Sequence, residues 1–168
     1  LKTVYIPYGA NIDSSLDESV LTKYGLAKRR YLFFVGRLVP EKGVHHLIDA
    51  YNQLKTDMPL VIIGDDVAYR DYVAELKAGA SANVKFLGYL YGREYQAISA
   101  FPYFYVSASQ LEGTSPSLVT AMAFGNCVLV NGIEENKETI GEAGLVFAEN
   151  NWADLQNRMQ ELIDNPQI

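Results

Sequence analysis

Cys127 is the only cysteine in the chain, and the only two histidines, His45 and His46, are neighbours. One cysteine cannot close an internal disulfide, which excludes the stapled secreted scaffolds and points to a reducing compartment. One thiol and one histidine pair also make no set of metal ligands at tetrahedral spacing. Basic charge is short too. Lys and Arg number 14 against 20 Asp and Glu, a formal net charge of −6, which argues against nonspecific attraction to nucleic acid or an anionic membrane. No apolar run approaches the roughly eighteen residues of a membrane span, and no secretory signal is visible. Repeats, low-complexity tracts and interdomain linkers are missing, so residues 1–168 read as one domain with one well-buried core.

What the chain does have is a series of short, continuous apolar runs with helical stripes between them. Tyr31-Leu32-Phe33-Phe34-Val35 is aromatic and β-branched and stops at Gly36, the mark of a buried strand. From Gly43 the period changes, and Val44, Leu47, Ile48, Tyr51 and Leu54 stripe one face of a helix. Leu60 to Ile63, Val84 to Gly88, Tyr103 to Val106, Cys127 to Val130 and Leu145 to Phe147 are further strands. Helices are expected from Asp65-Asp66 to Gly79, from Tyr91 to Ala100, from Pro116 to Gly125 and from Trp152 to about Asn165, with a short one over Ser19 to Gly25. Val4-Tyr5-Ile6 reads as a short strand, and Gly132 to Gly144 as a connection. Strand and helix alternate with short joints, which predicts an α/β fold: a Rossmann-like three-layer sandwich with a parallel sheet of about six strands and helices on both faces.

In such sheets ligands bind beyond the carboxyl ends of the strands. The turn Gly36-Arg37-Leu38-Val39-Pro40-Glu41-Lys42-Gly43 lies at that edge and leads into a helix, whose free N–H groups and positive dipole end favour an anion. Arg37 adds a bidentate grip and Lys42 a point charge, so a phosphate-bearing ligand is one reading. The other is a plain surface turn in which the two cations pair with Glu41 or Asp65. A P-loop is excluded because Lys42 precedes Gly43 and no hydroxyl follows, and the dinucleotide fingerprint because it needs three close glycines. Lys28-Arg29-Arg30 reads as a solvated charge cluster beside a strand.

The second informative stretch runs from Glu112 through Gly113, Thr114, Ser115 and Pro116 to Gly125. Ser115 suits the N-cap and Pro116 the first helical position, so the backbone N–H groups of Gly113 to Ser115 would face the same edge as Arg37 and Lys42. A carboxylate beside an anion site is misplaced unless it binds something else, such as sugar hydroxyls. Glu112 as an ordinary helix-start carboxylate is an equally sound reading.

Together these stretches resemble the nucleotide-sugar-binding half of the retaining group-1 glycosyltransferases, enzymes of the GT-B fold. Val35-Gly36-Arg37-Leu38, Lys42-Gly43 and Leu47-Ile48-Asp49-Ala50 are similar to that family's strand, turn and helix, in which Arg and Lys hold the donor diphosphate. Tyr5 to Asn11 resembles the segment where the chain enters this half, and Glu138-Thr139-Ile140-Gly141 a recurrent segment before the last strand. Phe86-Leu87-Gly88 resembles the stretch whose backbone lies near the nucleobase. Glu112 matches the first glutamate of the family's acidic motif. The second, separated from it by seven residues and normally bound to the ribose hydroxyls, is replaced by Thr120.

The resemblance implies Arg37, Lys42 and Glu112 as the catalytic set, and Gly36, Phe86, Leu87, Gly113, Thr114, Ser115, Pro116 and Thr120 around the donor. It implies a hexosyltransferase-like enzyme that takes a nucleotide sugar such as a UDP-sugar and needs neither metal nor cofactor. The acceptor, a glycan, lipid or small molecule, would come through an amino-terminal half that this chain lacks, so the fragment alone is expected to transfer poorly. No nucleic acid partner and no membrane span are expected. The location implied is cytoplasmic, or peripheral at the inner face of the membrane in a full-length protein, in a pathway such as polysaccharide biosynthesis. Two other readings remain open at this stage: a degenerate, noncatalytic scaffold subunit, motivated by Thr120, and a nucleotide-sensing Rossmann-like module.

Overall fold

The computed structural model describes residue 4, residues 8–12 and residues 16–166. Along them run α1 (Ser19–Lys23), β1 (Leu32–Val35), α2 (Val44–Tyr51), β2 (Leu60–Ile63), α3 (Arg70–Gly79), β3 (Val84–Phe86) and α4 (Gly92–Ala100). Then follow β4 (Phe104–Ser107), α5 (Pro116–Ala123), β5 (Val128–Asn131), α6 (Glu134–Ile140), β6 (Leu145–Phe147) and α7 (Trp152–Asp164). The strands form one parallel sheet in the order β3-β2-β1-β4-β5-β6, with Leu32 of β1 in register with Leu60 on one side and Phe104 on the other.

A strand covered on both faces has no solvent side, which is why these segments read as unbroken apolar runs. Their period of two sends alternate residues to opposite layers. Leu32, Phe34, Leu60, Ile62, Phe104, Val106 and Leu129 pack with Leu47 of α2, Val73 and Leu76 of α3, and Leu155 and Met159 of α7. Phe33, Val61, Ile63, Tyr105, Val128 and Val130 pack with Leu21 of α1, Ile98 of α4, Leu118 of α5 and Ile140 of α6. This is the expected three-layer sandwich. The chain steps outward from β1 to β2 and β3, then returns through α4 to place β4 on the other side of β1. The connections after β1 and β4 therefore lead to helices on opposite faces, α2 and α5, which makes the carboxyl edge between these strands the switch point, the place where open α/β sheets bind ligands in a crevice.

Several local expectations are corrected. β4 and β5 each begin one residue later than their apolar runs suggest, so Tyr103 and Cys127 precede the strands and Ser107 lies within β4. Helix α2 ends at Tyr51; Leu54 is reached through a turn, its N–H donating to the Tyr51 carbonyl at 3.0 Å, and still packs against the core. Asp65-Asp66 does not start an α-helix. The Asp66 carboxylate instead accepts from the Ala68 N–H at 2.9 Å and caps a 3-10 turn, Val67–Tyr69, that precedes α3. The stretch from Gly132 to Gly144 contains α6, whose acidic face hid its helical period. In the basic triplet Lys28 and Arg30 form exposed pairs with Glu18 and Asp57, as expected of solvated charges. Arg29 has a structural role, reaching the Pro102 carbonyl at 3.1 Å. The strand expected over Val4-Tyr5-Ile6 falls largely outside the described residues.

Candidate functional site

The site is assembled by two turns held tightly together. After β1, Pro40 opens a 3-10 turn, Pro40–Lys42, with its ring-fixed φ, and Gly43 follows in the left-handed region at φ 64°. A Cβ on Gly43 would lie 2.2 Å from the carbonyl oxygen of Ala108, so only glycine lets this turn rest on the end of β4. Hydrogen bonds lock the contact. The Gln110 N–H donates to the Glu41 carbonyl at 2.8 Å, and the Ser109 hydroxyl lies 3.4 Å from that carbonyl and 3.1 Å from the carbonyl of Leu111.

A third strand end joins them. Asn131, at the end of β5, is fully buried and donates from Nδ2 to the Ser109 carbonyl at 3.0 Å and to Asn150 Oδ1 at 2.9 Å, while its Oδ1 accepts from the Asn150 N–H at 2.9 Å. Asn150 takes φ 52°, a conformation that asparagine tolerates better than most residues. Sequence reasoning left Ser109 at the carboxyl end of the fourth strand without a role and passed over Asn131. The signal was a polar residue closing the apolar run Val128-Leu129-Val130, because a buried amide at a strand end must find partners.

These contacts bring Lys42 and Glu112 together across 70 positions of sequence. Lys42 Nζ lies 2.7 Å from Glu112 Oε1, and the two side chains are 18% and 9% exposed. Neither Glu41 nor Asp65 takes Lys42, so the plain surface turn is not what forms. Arg37 is exposed and makes no ion pair with any carboxylate among the described residues. The turn after β1 thus holds one neutralised cation and one free one.

Helix α5 starts at the same place. Pro116 occupies the first helical position and Ser115 the N-cap, as expected, but no side chain caps the helix. The buried Ser115 hydroxyl sits 3.0 Å from that of Ser117, which lies 3.3 Å from the Tyr105 hydroxyl. Burial pushes the Tyr105 phenol well above its usual range, keeping it neutral. The first amides of α5 are therefore not taken by a side-chain cap, and the helix starts four residues after Glu112.

Gly36, Arg37, Lys42, Glu112, Gly113, Thr114, Ser115 and Pro116 all flank the switch point. Thr120 stands one turn into α5, half-buried, and its hydroxyl donates to the Pro116 carbonyl at 2.8 Å. Phe86 and Leu87 lie two strands away at β3, half-buried, with the Leu87 N–H donating to the Ile62 carbonyl at 2.9 Å. Their side of the carboxyl edge carries an unexpected apolar surface. Val67, Tyr69, Tyr89 and Tyr91 are exposed in the turns after β2 and β3, with the Tyr89 and Tyr91 rings stacked 6.4 Å apart, and Leu111 is exposed across β1 in the turn after β4. On the other side of α5 a cleft of about 670 Å³ runs from Gly113 and Thr114 past Met122 to Glu135, Glu138 and Tyr8. Among the described residues no group of three or more His, Cys, Asp and Glu is placed to hold a metal ion, and no helix is long and apolar enough to cross a membrane.

Residues 20–168 match the family model for Glycosyl transferases group 1. The chain is 31% identical over 143 residues to D-rhamnosyltransferase WbpZ of Pseudomonas aeruginosa, covering 82% of this chain and 37% of that protein. It is 29% identical over 136 residues to O-antigen chain mannosyltransferase B of Escherichia coli, covering 76% of this chain and 35% of the relative. It therefore spans little more than a third of the length of these relatives. Among solved structures, Anabaena HepE (Alr3699) in complex with UDP superposes with a TM-score of 0.79 at 25% identity, over 89% of this chain and 43% of that one. A strand-turn-helix bearing Arg37 and Lys42, a second turn bearing Glu112, a switch-point crevice between them and a family match over nearly the whole chain agree: this chain belongs to the group 1 glycosyltransferases.

Proposed function

We propose that the chain is the donor-binding domain of a retaining glycosyltransferase that moves a sugar from a nucleoside-diphosphate sugar to an acceptor hydroxyl. The observation that carries this reading is the meeting of Lys42 and Glu112 at 2.7 Å in the switch-point crevice, with Arg37 free in the same turn and the uncapped start of α5 alongside. As the bond from the anomeric carbon to the diphosphate oxygen breaks, its electron pair leaves with the diphosphate, whose charge grows while the sugar becomes oxocarbenium-like. Fixed cations at that position stabilise the transition state more than the ground state. Arg37, Lys42 and the amides of Gly113 to Ser115 have that role, so that protein groups supply the neutralisation a metal provides elsewhere. Glu112 orients the sugar through its hydroxyls. The acceptor oxygen bonds to the same face of the anomeric carbon, and its proton departs with the leaving diphosphate.

Phe86 and Leu87 border the nucleobase, and Thr120 the ribose. UDP is the first nucleotide to test, since it occupies the Anabaena neighbour. The acceptor half of the cleft would come from a further domain, so the 168-residue chain binds donor and transfers negligibly. A noncatalytic scaffold is the second reading, favoured by Thr120 standing where a ribose-binding carboxylate is expected. Calorimetric titration separates the two. Lys42→Ala should weaken UDP by roughly 1.5 to 3 kcal/mol, the range for hydrogen bonds to charged groups. Unchanged affinity in both Lys42→Ala and Arg37→Ala would remove the basis of the donor-binding reading.

A further inference from the structure

The two cations of the crevice are not equivalent. Arg37 is exposed and meets no carboxylate among the described residues, whereas Lys42 is engaged by a glutamate that is itself only 9% exposed. An entering diphosphate must therefore take Lys42 from Glu112, and it leaves that carboxylate with little water and no cation. What happens next depends on what the diphosphate carries. A carboxylate can only accept hydrogen bonds. A nucleotide sugar brings hydroxyl donors to Glu112, and its β-phosphate holds a single charge. A bare nucleoside diphosphate brings no donor there, and its terminal phosphate carries up to one charge more, facing Glu112 across the poorly solvated crevice.

Resting on the donor-binding reading above, we infer that Glu112 sets the preference of this site for the nucleotide sugar over the nucleoside diphosphate. It rejects the product by like-charge repulsion and by reclaiming Lys42. The same carboxylate that orients the sugar thus clears the site once the sugar has gone. Selectivity of this kind uses an unfavourable contact with the wrong ligand as well as a favourable one with the right ligand. The Lys42–Glu112 pair is then the resting state of the site, and its re-formation accompanies release of the nucleotide.

The test is isothermal titration of UDP and of UDP-glucose into the wild-type chain, Glu112→Gln and Glu112→Asp at one fixed salt concentration. Glutamine keeps the shape of Glu112 and removes its charge; aspartate keeps the charge. Glu112→Gln should bind UDP about tenfold tighter than wild type, whereas UDP-glucose, whose hydroxyls lose a charged acceptor, should gain less than about threefold or lose affinity, and Glu112→Asp should keep the wild-type order of the two ligands. Thermal melts confirm that each variant is folded. UDP binding that is unchanged or weaker in Glu112→Gln overturns the inference, as does an equal gain for both ligands, which would mean that Glu112 merely masks Lys42. If neither nucleotide binds the wild-type chain, or if Lys42→Ala leaves binding untouched, the donor-binding reading itself fails. That outcome is distinct from a wrong sign at Glu112.

Discussion

Asn131→Leu is the substitution that most directly tests whether the crevice is built by buried polar contacts. Leucine has nearly the shape of asparagine and none of its polarity, so the change removes hydrogen bonds with little change in packing. Three are lost: donations to the Ser109 carbonyl and to Asn150 Oδ1, and acceptance from the Asn150 N–H. At about 1 kcal/mol net each they sum to about 3 kcal/mol. Asn150 is exposed and recovers water, but Ser109 is fully buried, so its carbonyl loses the Asn131 amide and gains nothing, while the new apolar side chain returns part of the loss. The expected destabilisation is about 2 to 4 kcal/mol, a large share of the 5 to 15 kcal/mol typical of a domain. In urea, with a slope of about 2 kcal/mol per molar, the midpoint should fall by about 1 to 2 M. UDP affinity should fall as well, because the Ser109 carbonyl lies three residues before Glu112 and Ser109 also touches the Glu41 carbonyl beside Lys42. Asn131→Asp should be no milder, since it turns carboxylate oxygens toward the Ser109 carbonyl and Asn150 Oδ1. A midpoint within about 0.3 M of wild type in Asn131→Leu would show that the strand ends are held by apolar packing alone.

Two further outcomes follow from the geometry. The Thr120 hydroxyl spends its one proton on the Pro116 carbonyl and can only accept from a ribose, where a glutamate could accept twice, so UDP and 2′-deoxy-UDP should bind within about 1 kcal/mol of each other; a strong preference for the ribose form would show that another group clamps the sugar. On α2, His45 and His46 are held below the ordinary histidine range mainly by burial, His46 also by its neighbour, while Asp49 opposes both shifts. Because the unfolded chain then takes up protons first, stability is complete above about pH 6.5 and declines as pH falls through that value. His46→Phe keeps the ring stacked on Trp152 at 3.9 Å and should shrink the loss of melting temperature between about pH 7.5 and 5.5. An unchanged loss would mean that other groups govern the acid limb.

The layers, and the limits of α5, were written in the sequence alone. Strands buried on both faces must be written as continuous apolar runs, helices must carry a stripe, and Pro116 and Gly125 mark where α5 starts and stops by backbone chemistry alone. The cations of the first turn and Glu112 were legible for the same reason, since they interrupt that pattern at strand ends. Helix α6 was not, because its exposed acidic residues carry no stripe.

Pairing lay beyond any local reading. Whether Lys42 would meet Glu41, Asp65 or Glu112 depends on which strand lies beside β1, and β4 takes that place only once α4 has carried the chain back across the sheet. The Asn131 network is of the same kind. An asparagine closing an apolar strand announces a buried amide, but its partners, Ser109 and Asn150, are chosen when three strand ends converge. Local chemistry thus decided what each turn could offer, and only the order of the sheet decided which turns share a crevice.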